Sequence, residues 1–205
     1  VPDHVARALT QSAKPVTPDS PLLARTQNRV VAAPSQSLEA AASVARQAGY
    51  DVRVLGDRLE GEARDVAAEQ AAMALQVQRE LGAGDKPVLL LSGGELTVTR
   101  RGDGIGGPNA EFVLALALAL KGAPDIFALA CDTDGVDGAA DVAGAVAQPE
   151  TLAIATRAGI SAADYLARND SHSFFAKIDS QVVTGPTLTN VNDFRAILVR
   201  PKLSF

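Results

Sequence analysis

Apolar and polar positions follow two rhythms along this chain. In "SLEAAASVARQAG" (37–49), Leu38, Ala41, Ala42, Ala45 and Ala48 share one helical face, and Gly49 is placed as a C-cap. A second, longer helical pattern occupies "EGEARDVAAEQAAMALQVQREL" (60–81). Between and around these, "NRVVAA" (28–33) and "YDVRVLG" (50–56) read as short strands. "KPVLLLSGG" (86–94) is a continuous apolar run of the kind buried on both faces of a sheet. Strand–helix–strand–helix–strand predicts an α/β layer with parallel strands. "ELTVTRR" (95–101) follows too closely for a helical crossover, so it is expected as an antiparallel or edge strand that makes the sheet mixed.

The second half continues the pattern. "NAEFVLALALAL" (109–120) is apolar on nearly every helical face and is expected to be deeply buried, with Lys121-Gly122 closing it. "DIFALAC" (125–131) predicts a buried strand, and 149–158 a helix. Ser161 and Asp164 form an S-x-x-D capping box for "AADYLARN". "SQVVTG" and "FRAILVR" are two last strands around the loop "PTLTNVND". The first 27 residues, with a short helical candidate "PDHVARALTQSA" and then Pro15, Pro18 and Pro21, read as a lead-in. The expected organisation is therefore a lead-in over 1–27 and one α/β domain over 28–205, a layered α/β/α arrangement around a mixed, mainly parallel sheet.

Composition narrows the partners. With 47% hydrophobic and 21% charged residues, the 205-residue chain has a globular composition. A net charge of −5 disfavours nucleic acid and acidic membranes. Its longest apolar run, Phe112 to Leu120, is too short to span a bilayer. The single cysteine, Cys131, allows no intramolecular disulfide, and with no signal segment at the start a cytoplasmic location is the default expectation. Since Val1 opens the chain without a methionine, a fragment or a trimmed chain is expected.

Four loops carry candidate chemistry, each beside a predicted strand, where ligands collect in open α/β sheets. The first is Ser92-Gly93-Gly94-Glu95, where the glycines allow close backbone approach and Glu95 could orient a hydroxyl; on spacing alone a tight turn between strands with Glu95 solvated is slightly favoured. It is not a nucleophile elbow, since Leu90 stands where G-x-S-x-G needs glycine. The second, "GDGIGG" (102–107), matches the dinucleotide fingerprint as a pattern. Its context fails: the preceding strand is short and half polar, and Asp125 precedes the next strand instead of ending it. What remains is a Gly-rich loop feeding a helix start beside Arg100 and Arg101, a candidate anion site. A plain hairpin return, with Asn109 capping the helix, is the competing reading.

The third loop, "CDTDGVDGAAD", gathers Asp132, Asp134, Asp137 and Asp141. Carboxylates this close repel unless a cation or base is shared. Register excludes an EF-hand, because Val136 and Ala143 fall at ligand positions, whereas Mg²⁺ needs only one or two carboxylates plus substrate oxygens; a turn whose aspartates make Asx-type bonds and cap the next segment is the competing reading. The fourth, "TGPTLTNVND", offers Thr184, Thr187, Thr189, Asn190, Asn192 and Asp193 for a polyol, carboxylate or phosphate, or serves as ordinary turn chemistry. His172, beside Ser173-Phe174-Phe175, reads as a packed or surface residue, and no Walker-type phosphate loop occurs.

In this order, "LLSGGELTVT", "GDGIGGPNAEFVLALAL", "DTDGVDGAADVAGA", "ARNDSHSFF" and "TGPTLTNVNDFRAILV" resemble the MOFRL family over about 86–200. That family forms the C-terminal part of ATP-dependent glycerate 2-kinases, once widely labelled hydroxypyruvate reductases. The resemblance implies a two-domain phosphotransferase whose other domain carries a Gly-rich loop and a catalytic lysine. It implies ATP, Mg²⁺ and glycerate as ligands, and an isolated chain that is inactive; a homo-oligomer is left open. It also implies that Asp134 and Asp137 serve Mg²⁺ or the glycerate hydroxyl with help from Glu95. Gly93, Gly94, Arg100, Arg101, Gly106, Gly107, Asn109, Thr133, Thr187, Thr189 and Asn190 would line the same cleft. Many members have arginine where this chain has Pro108, leaving Arg100 and Arg101 as the nearest basic substitutes. A nicotinamide-dependent hydroxypyruvate reductase and a non-catalytic ligand-binding domain are the alternatives.

Overall fold

The computed structural model describes residues 1–10 and 16–202; Gln11 to Ala13 of the expected lead-in helix, and Pro15, lie outside the described residues. Over 1–31, helix α1 (Asp3–Thr10) buries no residue. A 3-10 turn (Pro21–Leu23) starts at Ser20, whose Oγ accepts the Leu22 N–H. The strand expected over 28–33 does not form: Val30 and Val31 are 75% and 82% exposed, and among the described residues no strand includes them.

Residues 32–202 build a six-stranded sheet in the order β1-β2-β6-β3-β4-β5. Its elements in chain order are α2 (Pro34–Gln47), β1 (Asp51–Glu62), α3 (Ala63–Glu80), β2 (Val88–Thr97), α4 (Pro108–Leu120), β3 (Ile126–Asp132), β4 (Gly144–Ala147), α5 (Thr151–Arg157), α6 (Ala162–Ala167), α7 (Ser171–Lys177), β5 (Gln181–Val182) and β6 (Asp193–Val199). The α/β class and mixed sheet are as the sequence predicts. The balance of pairings differs, since only β1–β2 is parallel while β2–β6, β6–β3, β3–β4 and β4–β5 are antiparallel. β1, β2, β3 and β5 share a direction, but the last strand inserts head-down between β2 and β3 and separates them.

Strand alternation sends neighbouring side chains to opposite faces. Val88, Leu90, Ile197 and Val199 point into the main core beneath α3 and α4, whereas Leu91 packs with Leu38 and Ala42 of α2 on the other side. α4 is buried almost all round, from Asn109 to Ala117, because α3 flanks it on one side and α6 and α7 on the other, with the sheet below. That accounts for its nearly uniform apolar sequence. Lys121 in the left-handed region (φ 52°) and Gly122 (φ 74°) end it, as the sequence indicates.

One further expectation is corrected, and two elements are new. Ser92-Gly93-Gly94-Glu95 is not a turn, because β2 runs straight through it as one strand to Thr97. Gly94 sits at φ 121°, and any Cβ there would overlap the β1 backbone at Leu59. Here β1 bulges between Gly56 and Leu59, so the glycines serve strand-to-strand approach. β4 and α7 are additions: "GAVA" is too short to stand out as a strand, and the two phenylalanines of α7 close the core against Tyr165.

Candidate active site

The strand ends set the geometry. Gly94 of β2, Asp193 at the start of β6 and Asp132 at the end of β3 lie side by side in register, so the loops that follow or precede them converge on one end of the sheet. This is the crevice position favoured for ligands in open α/β sheets.

The third and fourth loops are stitched together there. Thr133 Oγ donates to the Asn192 carbonyl (2.8 Å) and accepts the Val191 N–H (2.8 Å). Thr187 donates its N–H to the Asp134 carbonyl (3.1 Å) and its hydroxyl to the Thr133 carbonyl. Asn190 Nδ2 donates to Asp134 Oδ2 (3.0 Å), while Asp134 Oδ1 accepts the Val136 N–H (2.8 Å). Asp134 is half-buried at the surface of this construction, and Thr187, Thr189 and Asn190 are exposed. Beside them Asp132 Oδ1 accepts the Asp134 N–H (3.0 Å). Burial and the neighbouring Asp134 and Asp193 charges push the Asp132 carboxyl up to about 6. Burial first, then the same acidic surroundings, raise the Cys131 thiol to about 11.

Asp137 behaves differently. It is fully buried, and its carboxylate accepts the Asn109 N–H (3.0 Å), the Ala110 N–H (2.8 Å) and Asn109 Nδ2 (3.2 Å). His172 Nε2 lies 3.1 Å from its Oδ2 and 3.0 Å from its carbonyl. The N-terminus of α4 therefore already holds an anion, a carboxylate from its own chain, and Pro108 at the first helical position has no N–H to offer. The Asn109 and Ala110 N–H groups of this helix start and both Asp137 oxygens are thus taken up within the chain.

Asn109 extends the buried network, donating from Nδ2 to Asp193 Oδ1 (2.7 Å) as well. Asp193 in turn accepts from the fully buried Arg195 (3.0 Å). Burial raises the Asp193 carboxyl against the opposing pull of Asn109 and Arg195, and burial lowers Arg195. A parallel network holds Glu111, which accepts from Arg64 Nε (2.6 Å) and from Asn169 Nδ2 (3.0 Å to Oε2).

The Gly-rich loop is locked onto the turn between α6 and α7. Asn169 Oδ1 accepts the N–H groups of Arg101 (2.6 Å) and Gly102 (3.0 Å). The Arg168 carbonyl takes that of Gly104 (3.0 Å), and Asp170 Oδ1 that of Ile105 (3.0 Å). A Cβ at Gly102 or Gly104 would overlap Arg168 or Asp170, and one at Gly107 would overlap the Asp137 carboxylate. The glycines are thus explained by packing, not by close approach to a pyrophosphate. Arg100 and Arg101 are exposed and form no ion pair among the described residues; Glu95 is exposed opposite Glu60 of β1.

Sequence reasoning missed Arg64, Asn169, Asp170 and Arg195, and set His172 aside. "ARNDSHSFF" held the available signal: several consecutive polar residues directly ahead of two core phenylalanines.

Acidic, hydroxyl-bearing and Gly-rich loops are thus gathered at one end of a sheet of the α/β class, the end at which ligands collect in such folds. The chain belongs to the MOFRL family, whose model matches residues 88–193. It is 50% identical over 173 residues to an Agrobacterium vitis protein that carries the provisional name hydroxypyruvate reductase, covering 83% of this chain and 40% of that protein. It is 33% identical over 202 residues to the glycerate 2-kinase of Pyrococcus horikoshii, covering 97% and 45%. The crystal structure of the Thermotoga maritima glycerate kinase superposes with a TM-score of 0.81 at 32% identity, over 85% of this chain and 42% of that one. The chain thus spans less than half the length of these relatives. Among the described residues no helix is long and apolar enough to cross a membrane.

Proposed function

We propose that this chain supplies the C-terminal part of an ATP-dependent glycerate 2-kinase, forming one wall of an interdomain site and inactive by itself. The observation that carries this reading is the paired loop system at one sheet end, in a chain whose relatives are named glycerate kinases. Phosphoryl transfer is mostly positioning and charge neutralisation, and both need rigid polar loops.

In this reading Asp134 is the accessible carboxylate. Asn190 and the Val136 N–H fix its orientation, and its place at the crevice suits either the glycerate hydroxyl or one ligand position of Mg²⁺. A bound Mg²⁺ would neutralise phosphate charge, and one protein carboxylate plus phosphate oxygens is a sufficient ligand set for it. Asp137 is fully buried against the α4 N–H groups and so not open to the crevice in this reading; it positions α4 and, through Asn109, Asp193. Thr187, Thr189 and Asn190 present hydroxyls and an amide to the same crevice, with Thr133 bracing them from below. Gly93 and Gly94 keep β1 and β2 close enough to aim Glu95. Gly106 and Gly107 hold the rim, where Arg100 and Arg101 supply positive charge for a phosphate or carboxylate.

The name of the Agrobacterium vitis relative favours a nicotinamide-dependent reductase. Against it, the amides of Arg101, Gly102, Gly104 and Ile105 already have intramolecular acceptors. A coupled ADP-release assay with glycerate and ATP tests the split site: the 205-residue chain alone should show no turnover. Glycerate phosphorylation by it at an ordinary enzymatic rate would overturn the proposal.

A further inference from the structure

The Gly-rich loop has an outside as well as a crevice side. On that outside, the turn after α5, helix α6 and the end of α7 border an open surface cavity of about 700 Å³. Tyr165 lies in its wall with two cations over the ring, Arg168 Cζ at 4.8 Å and Lys177 Nζ at 5.9 Å from the centroid. Neither cation is firmly neutralised. Arg168 approaches Asp170 only to 3.6 Å, and Lys177 makes no ion pair among the described residues. Arg168 and Lys177 set two cations against the one carboxylate of Asp164 in this lining, a net positive charge that favours an anion. Asp164 and Ser161 open onto the same cavity and suit hydroxyl groups next to that anion.

The cavity shares its wall with the loop lock. Arg168 lines the cavity with its side chain while its carbonyl accepts the Gly104 N–H. Asn169 and Asp170, the next two residues, hold Arg101, Gly102 and Ile105. We propose that this cavity binds a small phosphate-bearing anion between Arg168 and Lys177, and that its occupancy is felt at the Gly-rich loop. The inference does not depend on the kinase reading, because it rests on a separate face and is tested by binding.

Amide chemical shifts of the ¹⁵N-labelled 205-residue chain would be followed during titration with inorganic phosphate and, separately, with glycerol phosphate, against sodium chloride at matched ionic strength. Saturable shifts at Tyr165, Arg168 and Lys177, with accompanying shifts at Gly102, Gly104 and Ile105, are expected. Tighter binding of glycerol phosphate assigns the site to phosphate esters, and equal binding assigns it to free phosphate. R168Q/K177Q should weaken binding by about tenfold or more, since two charge-assisted contacts are lost. R157Q, a change of an exposed cation outside the cavity, should not. Shifts no larger than those from chloride, or binding unaltered in R168Q/K177Q, would overturn the site. Shifts confined to the cavity would overturn its coupling to the loop.

Discussion

Replacing Asp137 by alanine tests how the α4 end is held. The carboxylate accepts two N–H groups of the helix and the Asn109 side chain, and touches His172, all in a fully buried place. Asn109 Nδ2 keeps Asp193, and His172 keeps the residue-137 carbonyl, so the loss falls on the two helix N–H groups. Losing a helix cap costs about 1 kcal/mol, and each buried donor left without a partner about 1–3 kcal/mol. Allowing for partial relaxation, D137A should destabilise by about 3–4 kcal/mol. For a chain of 205 residues the unfolding entropy is about 0.4 kcal/mol per degree, so the melting temperature should fall by about 7–10 °C. D137N, which retains one acceptor oxygen, should lose about half as much. Scanning calorimetry at neutral pH reads both. A D137A melting temperature within about 2 °C of the parent would refute the capping account and return Asp137 to the crevice as a free carboxylate.

Other substitutions probe neighbouring parts of the account. G104A and G107A, whose Cβ atoms would overlap Asp170 and Asp137, should each destabilise by about 1–3 kcal/mol, whereas G84A, with open space around it, should be near neutral in urea melts. Asp132 titrates near 6 when folded against 3.8 ordinarily, so the folded state binds its proton more tightly. Its contribution is therefore favourable below about pH 4 and lost as pH rises through about 6; D132N should raise the melting temperature above that window and leave it unchanged below, measured in chelator. Cys131, raised from 9.0 to about 11, should react with iodoacetamide at pH 8 about a hundredfold more slowly than an unperturbed thiol, and recover ordinary reactivity on unfolding. NADH fluorescence should show no saturable binding, because the amides of Gly102, Gly104 and Ile105 are engaged within the chain.

Much of the architecture was legible because it lies in periodic patterns. α2, α3, α4, β3 and β6 appear in the sequence almost where the structure has them, each with an apolar face matched to one side of the sheet. The failures are tertiary. Val30 and Val31 have the composition of a strand, yet they are exposed and lie in none among the described residues. Gly93-Gly94 has the composition of a turn, yet it is a place where two strands come unusually close. Loop positions were found by their polar residues, but which oxygens face solvent could not be. Asp134 and Asp137 stand three residues apart in one motif, and only their partners, Asn190 for one and a helix end for the other, separate a surface carboxylate from a buried cap. The strand order, with β6 placed between β2 and β3, is what brings Asp193 to Asn109, and no local pattern encodes that neighbour.

The central claim is that this chain contributes Asp134 and its loop system to a glycerate-phosphorylating site completed by a second domain. The direct measurement is glycerate-dependent ADP release by a hybrid in which this chain replaces the matching 42% of the Thermotoga maritima glycerate kinase, with and without Asp134→Asn. Turnover is expected from the hybrid and none from the chain alone, with a loss of about hundredfold or more in D134N with folding intact, the range of one electrostatic contact at a reacting centre. A folded hybrid that turns over equally well without the Asp134 carboxylate would contradict it.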